Sequence, residues 1–164
     1  MNLVMTTLGY VHSAISLVGI VSGFVLIFGM LDAKRPDGWT AVFLLTTVAT
    51  SVTGFLFPFG ALLPSHQIGI LSLVLLAIAI VALYIRHLAG AWRWIYVVSA
   101  LVALYLNVFV GVTQAFQKLS FLQPLAPTQS EPPFIIAQVV VMAIFVVLGF
   151  LSIRSFHPGP KAAA

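Results

Sequence analysis

One stretch, Arg93 to Lys118 (RWIYVVSALVALYLNVFVGVTQAFQK), limits the fold more than any other. About 20 apolar residues at a rise of 1.5 Å each cross the roughly 30 Å hydrocarbon core of a bilayer. This run is that long, yet it carries Asn107 deep inside it and Gln114 and Gln117 near its far end. Asn107 and Gln114 fall on one helix face, and Ala100, Ala103, Gly111 and Lys118 lie on or beside the same stripe. One side of the helix is therefore small and polar, while the other is Val, Leu, Ile and Phe. In lipid an amide must find its partners on neighbouring helices, because hydrocarbon supplies none. The run reads as the central helix of a bundle.

Composition excludes a soluble alternative. Only 6% of the 164 residues are charged and 62% are hydrophobic, against about 25% charged in an ordinary soluble domain. Cysteine is absent, which removes disulfides, thiolate metal sites and thiol nucleophiles. The net charge of +4 does not point to nucleic acid, because the basic residues stand singly at the ends of apolar runs with no basic block between them. The first apolar run has nothing basic before it and is too long for a signal-peptide core, so it reads as a retained helix.

The expected fold is an all-α, polytopic transmembrane bundle of five helices forming a single domain over 1–164, with no internal repeat. The helices are expected at about 3–31, 39–59, 66–87, 93–118 and 134–156. On the first, His12, Ser16, Gly19 and Gly23 recur on one face, and the G-x-x-x-G of Gly19 and Gly23 marks a close-packing side. The second holds Thr46, Thr47, Thr50, Ser51 and Thr53, whose hydroxyls can bond back to their own helix and read as packing. Ser65 is a candidate cap for the third helix. Between the fourth and fifth, LSFLQPLAPTQSEPP contains Pro124, Pro127, Pro132 and Pro133 and is expected to be extended and stiff.

Charge orients this arrangement. Five crossings place Lys34, Arg35, Arg86, Arg93, Arg154 and Lys161 on one side and only Lys118 on the other. The positive-inside bias then puts the N-terminus outside and the C-terminus in the cytoplasm. Trp39, Trp92, Trp94 and Tyr96 fall at the basic boundary, as an aromatic belt would.

Counting up from that boundary, His12 and His66 both lie roughly 30 Å away, Gln114 roughly 31 Å, Gln138 roughly 24 Å and Asn107 roughly 21 Å. Imidazole and amide groups from four helices thus gather in the outer third. Two level histidines on separate helices are the ligand set of a b-type haem, with His12 and His66 on the iron and a glutamine orienting a ring nitrogen or meeting a propionate. The same layer without haem suits a quinone head, which needs a donor at each carbonyl and an apolar slot for its ring. The bland alternative is that the histidines simply sit at a membrane boundary and the glutamines are held by nearby carbonyls. Zinc fits poorly, since no carboxylate or third histidine reaches that depth. The only carboxylates, Asp32, Asp37 and Glu131, are in loops, so the composition weighs against an enzyme and no catalytic residue is assigned.

The early histidine, the turn FPFGALLPSHQIG, the LAGAWRWIY turn and the YLNVFVGVTQAFQK helix resemble the small uncharacterised polytopic membrane proteins of bacteria grouped under domain-of-unknown-function headings. That resemblance implies a bacterial inner membrane and no catalytic role. Three readings follow. The first is a ligand-binding or electron-transfer membrane protein using His12, His66, Asn107, Gln114 and Gln138. The second is a non-enzymatic scaffold, assembly factor or complex subunit, or a homo-oligomer, with a small-residue stripe such as Gly19 and Gly23 left exposed on the single chain and Gly111 as a further helix-packing position. The third is a small-solute or proton transporter along Gln114 and Asn107.

Overall fold

A computed structural model describes residues 3–57 and 64–158, with side chains from 6–57 and 66–158. Among the described residues there are five α-helices and no strand: α1 (Leu3–Leu31), α2 (Asp37–Gly54), α3 (Pro64–Ile80), α4 (Trp92–Lys118) and α5 (Pro132–Ser155). Helix α1 lies along α2, α2 along α3, and α3 along α4, while α4 also meets α1 and α2. Helix α5 rests on α4 and, more lightly, on α1.

The centre of the bundle is α4, as its mixed composition required. Tyr96, Val97, Ala100, Ala103 and Leu104 are all wholly buried. They pack with Leu26, Ile27 and Met30 of α1, Phe43 and Leu44 of α2, and Leu76 and Ala79 of α3 into one continuous core. Helices α1, α3 with its continuation, α4 and α5 are long and apolar enough to cross a membrane, over Thr6–Leu31, His66–Ile85, Trp92–Lys118 and Pro132–Ser155. Helix α2 is not among them. Its 18 residues reach roughly 27 Å at 1.5 Å each, and its threonines lower its hydropathy.

Several boundaries differ from the sequence expectation. Helix α2 starts at Asp37, where an acid is favoured in the first turn and Thr40 Oγ1 donates to Pro36 O at 3.0 Å. It stops at Gly54, five residues short of the expected end, and closes in a turn with Phe55 N bonded to Val52 O at 3.1 Å. Pro58, Phe59 and Gly60 lie outside the described residues, as does the side chain of the expected cap Ser65. Helix α3 continues without a break into one π-helical turn, Val81–Ile85, with Arg86 N donating to Val81 O at 2.9 Å. His87 and Leu88 then take positive φ and end the segment. The proline-rich connection is more folded than expected. Pro124 lies in a short 3-10 turn, Gln123–Leu125, because its fixed φ suits the start of a helical turn as well as an extended path. Tyr96 is also no belt residue: it is wholly buried against Phe156, ring centroids 6.0 Å apart, whereas Trp39 and Trp94 are about half exposed.

The G-x-x-x-G of α1 sets how closely the bundle closes. A Cβ at Gly23 would stand 2.5 Å from Leu104 Cδ1 and 3.0 Å from Phe43 Cδ2, so both α4 and α2 occupy the space its missing side chain leaves. Gly19 and Gly23 are buried inside the chain. The expectation that this stripe stays exposed for an outside partner is therefore overturned: the chain's own helices consume it. Gly111 is in ordinary contact, 3.5 Å from Ile20 Cδ1. We expect Gly23→Val to lower the melting temperature in detergent, at a cost of about 1–3 kcal/mol from overpacking. Gly9→Val, where nothing lies within 4 Å, should leave it unchanged.

The connection into α5 is held by one carboxylate. Glu131 Oε1 accepts from Thr128 N at 3.1 Å and Thr128 Oγ1 at 2.9 Å, and Oε2 accepts from Ser130 N at 3.1 Å. Desolvation alone would raise the pKa of this carboxyl, but the bonds from Thr128 and Ser130 outweigh it and hold the group below the ordinary glutamate range. A lowered folded-state pKa gives stability that is complete above the unfolded value and is lost as pH falls through the folded one. Measured against the intrinsic exchange rate at each pH, the amides of Thr128 and Ser130 should be protected near neutral pH and lose that protection below the ordinary glutamate range, and Glu131→Gln should lack it throughout.

Candidate functional site

Helices α1, α2, α3 and α4 enclose a cavity of about 90 Å³ lined by His12, Thr47, Thr50, Ser51, Gly54, Phe55, Ile68, Gly69, Ser72, Leu106, Asn107 and Val110. Each helix brings polar groups there through its own periodicity. Thr47, Thr50 or Ser51, and Gly54 follow one face of α2, and Ser72 and Gly69 one face of α3.

Asn107 is 7% exposed. Its Oδ1 accepts from Ser16 Oγ at 2.7 Å, which fixes the amide and turns Nδ2 away. That Nδ2, with Thr47 Oγ1 and Thr50 Oγ1, is buried and has no hydrogen-bond partner among the described residues. Gly19 makes the room for this. A Cβ there would lie 3.1 Å from Asn107 Nδ2 and 3.2 Å from the hydroxyls of Thr46 and Thr47.

Most hydroxyls of the bundle behave differently. Thr46, Ser51 and Thr53 each donate to the carbonyl one turn back, at 2.7 to 2.9 Å, and so cost little in a low-dielectric interior. A buried hydroxyl or amide left without a partner costs about 1–3 kcal/mol. Three such groups on one cavity are therefore expensive unless something enters to meet them.

His12 supplies the opposite chemistry. Its Nδ1 is 2.9 Å from Thr53 Oγ1, and that hydroxyl's single hydrogen is already directed to Ala49 O at 2.7 Å. With the hydroxyl hydrogen on Ala49 O, Thr53 accepts from His12, an arrangement that assigns the imidazole proton to Nδ1 and a lone pair to Nε2. The ring is held edge-on to Phe57, centroids 5.3 Å apart. The residues around the cavity thus include an amide and two hydroxyls without partners among the described residues and one imidazole, with Phe55, Ile68, Leu106 and Val110 as apolar wall.

The five polar residues singled out in the sequence do not form one layer. His12 and Asn107 share the cavity. His66 is at the same end of the bundle and 5% exposed, but it packs against Phe55, ring centroids 5.6 Å apart, and it is Phe55 that lines the cavity. Gln138 binds α5 to α4 instead, with Nε2 donating to Phe109 O at 3.1 Å and to Thr113 Oγ1 at 3.3 Å. Gln114 donates to Gln117 Oε1 at 3.3 Å near the exposed end of α4. A bis-imidazole haem needs both histidine rings facing one slot wide enough for the macrocycle. Here His12 keeps Nε2 open, as an axial ligand would, but His66 packs on Phe55 outside the cavity lining. The space of about 90 Å³ is far smaller than a macrocycle, so these residues do not fit that group. Among the described residues no three His, Cys, Asp or Glu side chains gather as a metal site.

The sequence reading missed the threonines. Thr47, Thr50 and Thr53, read as packing, supply two cavity hydroxyls and the partner that sets the histidine tautomer. The available signal was their spacing on the face of α2 that also holds Gly54. Arg93 was likewise read only as a boundary charge, yet its Nη1 donates to Ile153 O at 3.1 Å and Phe156 O at 2.6 Å, capping the end of α5.

Compared with protein-family models, with curated proteins and with solved structures, the chain matches none. The functional reading therefore rests on the site. We expect Asn107→Leu to cost about 1 kcal/mol or less, and a Ser16→Ala/Asn107→Leu double-mutant cycle in detergent to return a coupling of about 0.6 kcal/mol, the usual size of such bonds in membranes. Zero coupling would show that the Ser16 bond contributes nothing to stability.

Proposed function

We propose that this chain is an integral membrane protein that binds the polar head of a small lipophilic molecule between α1, α2, α3 and α4, and that a quinone head is the chemistry the cavity matches best. One observation carries the reading: Asn107 Nδ2, Thr47 Oγ1 and Thr50 Oγ1 are buried without partners on the same cavity as an imidazole acceptor. A quinone presents two carbonyl acceptors, which the amide and a threonine hydroxyl would meet. A quinol presents hydroxyl hydrogens, and His12 Nε2 would accept one of them. As it stands the cavity, about 90 Å³, admits several water-sized molecules; a ring-sized head requires its walls to part, and the apolar wall suits the ring itself.

In this reading α2 is a fifth, short crossing whose hydroxyls are turned inward. The N-terminus faces outward, the C-terminus the cytoplasm, and the protein resides in a bacterial inner membrane, as its basic-residue bias and sequence resemblance imply. Transport is less well supported. Beyond Asn107 toward the basic end, the interior is filled by Leu26, Phe43, Leu76, Ala100 and Leu104, none more than 1% exposed.

The test is isothermal titration of the detergent-solubilised chain with a short-chain ubiquinone and, separately, with its quinol. Saturable binding of both is expected. Asn107→Leu should weaken the quinone by roughly tenfold, the equivalent of about 1.4 kcal/mol and one well-made hydrogen bond. His12→Phe and Thr53→Val should weaken the quinol more than the quinone. Absence of saturable binding to the wild-type chain, or equal binding by all variants, overturns the proposal.

A further inference from the structure

Away from that cavity, an apolar groove of about 500 Å³ runs between α4 and α5, lined among others by Leu101, Tyr105, Met142, Val146, Gly149 and Phe150. Its floor exists because α5 has no side chain at Gly149: a Cβ there would stand 3.0 Å from Leu101 Cδ2. Tyr105 and Phe145 meet edge-to-face, centroids 5.6 Å apart, and form part of the wall. The outer lip is exposed, with Val146 66%, Phe150 58% and Met142 48% accessible.

Arg154 stands at one end of the groove, its Cζ 4.8 Å over the Phe150 ring, and Arg93 reaches the same end of α5, where it donates to the carbonyls of Ile153 and Phe156. No carboxylate answers them: the ion pairs among the described residues are Lys34 with Asp32 and Arg35 with Asp37, and Glu131 is at the other end of α5. From Met142 to Ile153 the groove follows α5 for roughly 16 Å at 1.5 Å per residue. That is about half of the roughly 30 Å hydrocarbon core, the depth one acyl chain reaches.

The geometry points to a binding site for one anionic phospholipid, with an acyl chain lying in the α4/α5 groove and the phosphate held by Arg154. A guanidinium matches phosphate oxygens with paired donors, and basic positions between membrane helices at the head-group level recruit anionic lipids. A partner helix fits this face less well. Close helix approach in lipid needs small residues at the surface, and the glycine of this groove, Gly149, is already covered by Leu101.

The experiment compares phosphatidylglycerol with phosphatidylcholine, by native mass spectrometry and by melting temperature in mixed micelles, on the full chain. Wild type should retain phosphatidylglycerol roughly fivefold more strongly than phosphatidylcholine, as one uncompensated basic contact predicts, and should melt higher with it. Arg154→Gln should keep the lipid but lose the preference. Val146→Trp fills the groove from an exposed position, and should lose both lipids without loss of fold. Equal retention of the two lipids by wild type, retention unchanged in both variants, or a dimer in which the Met142–Ile153 face is covered by a second copy would each overturn the assignment.

Discussion

The bundle depends on the approach of α1 to its two neighbours through Gly19 and Gly23. One small-residue pair, one turn apart, produces two different layers. At Gly23 the vacated space is taken by Leu104 and Phe43, so that layer is dry and densely packed and sustains the core through dispersion contacts. At Gly19 the same vacancy is bordered by Asn107, Thr46 and Thr47. There is no driving force in lipid for apolar side chains to associate as they do in water, so close backbone approach and polar contacts must hold helices together. The first layer meets that need with packing and the second with the Ser16–Asn107 bond.

What the sequence made legible follows the same division. The positions of α1, α4 and α5, and the central role of α4, could be read because apolar length and a small, polar stripe are local properties. The end of α2 could not. Pro58 in FLFPFG already disfavours a helix running on to Phe59, but the stop at Gly54 itself is set where Phe55 packs on His66 and Phe57 on His12. That both histidines meet the turn after α2 was legible: His12 packs on Phe57 and His66 on Phe55. Azimuth was not. The face of α5 that meets α4 sends Gln138 to Phe109 O, and Gln114 pairs with Gln117 on its own helix.

The threonines of α2 show why residue type alone misleads. Five hydroxyls in one stretch look alike in sequence, and three of them, Thr46, Ser51 and Thr53, return their hydrogen to their own helix. Which ones do so depends on the rotamer each neighbour permits, and that is tertiary information. Only after Thr53 is seen donating to Ala49 O does it become an acceptor for His12. The histidine tautomer is thus assigned from two bonds away, by a backbone carbonyl in α2.

That chain of bonds also explains why a short, hydroxyl-rich helix is tolerable where α2 stands. Its polar side chains either bond to its own carbonyls or face the cavity, and Phe43 and Leu44 bury its apolar side in the core. The turn after Gly54 then brings Phe55 and Phe57 across the histidine end, one forming wall and the other fixing the imidazole. A longer, more apolar α2 would reach the length and hydropathy of its neighbours, but it would remove both the hydroxyl beside His12 and the two that stand without partners at the cavity.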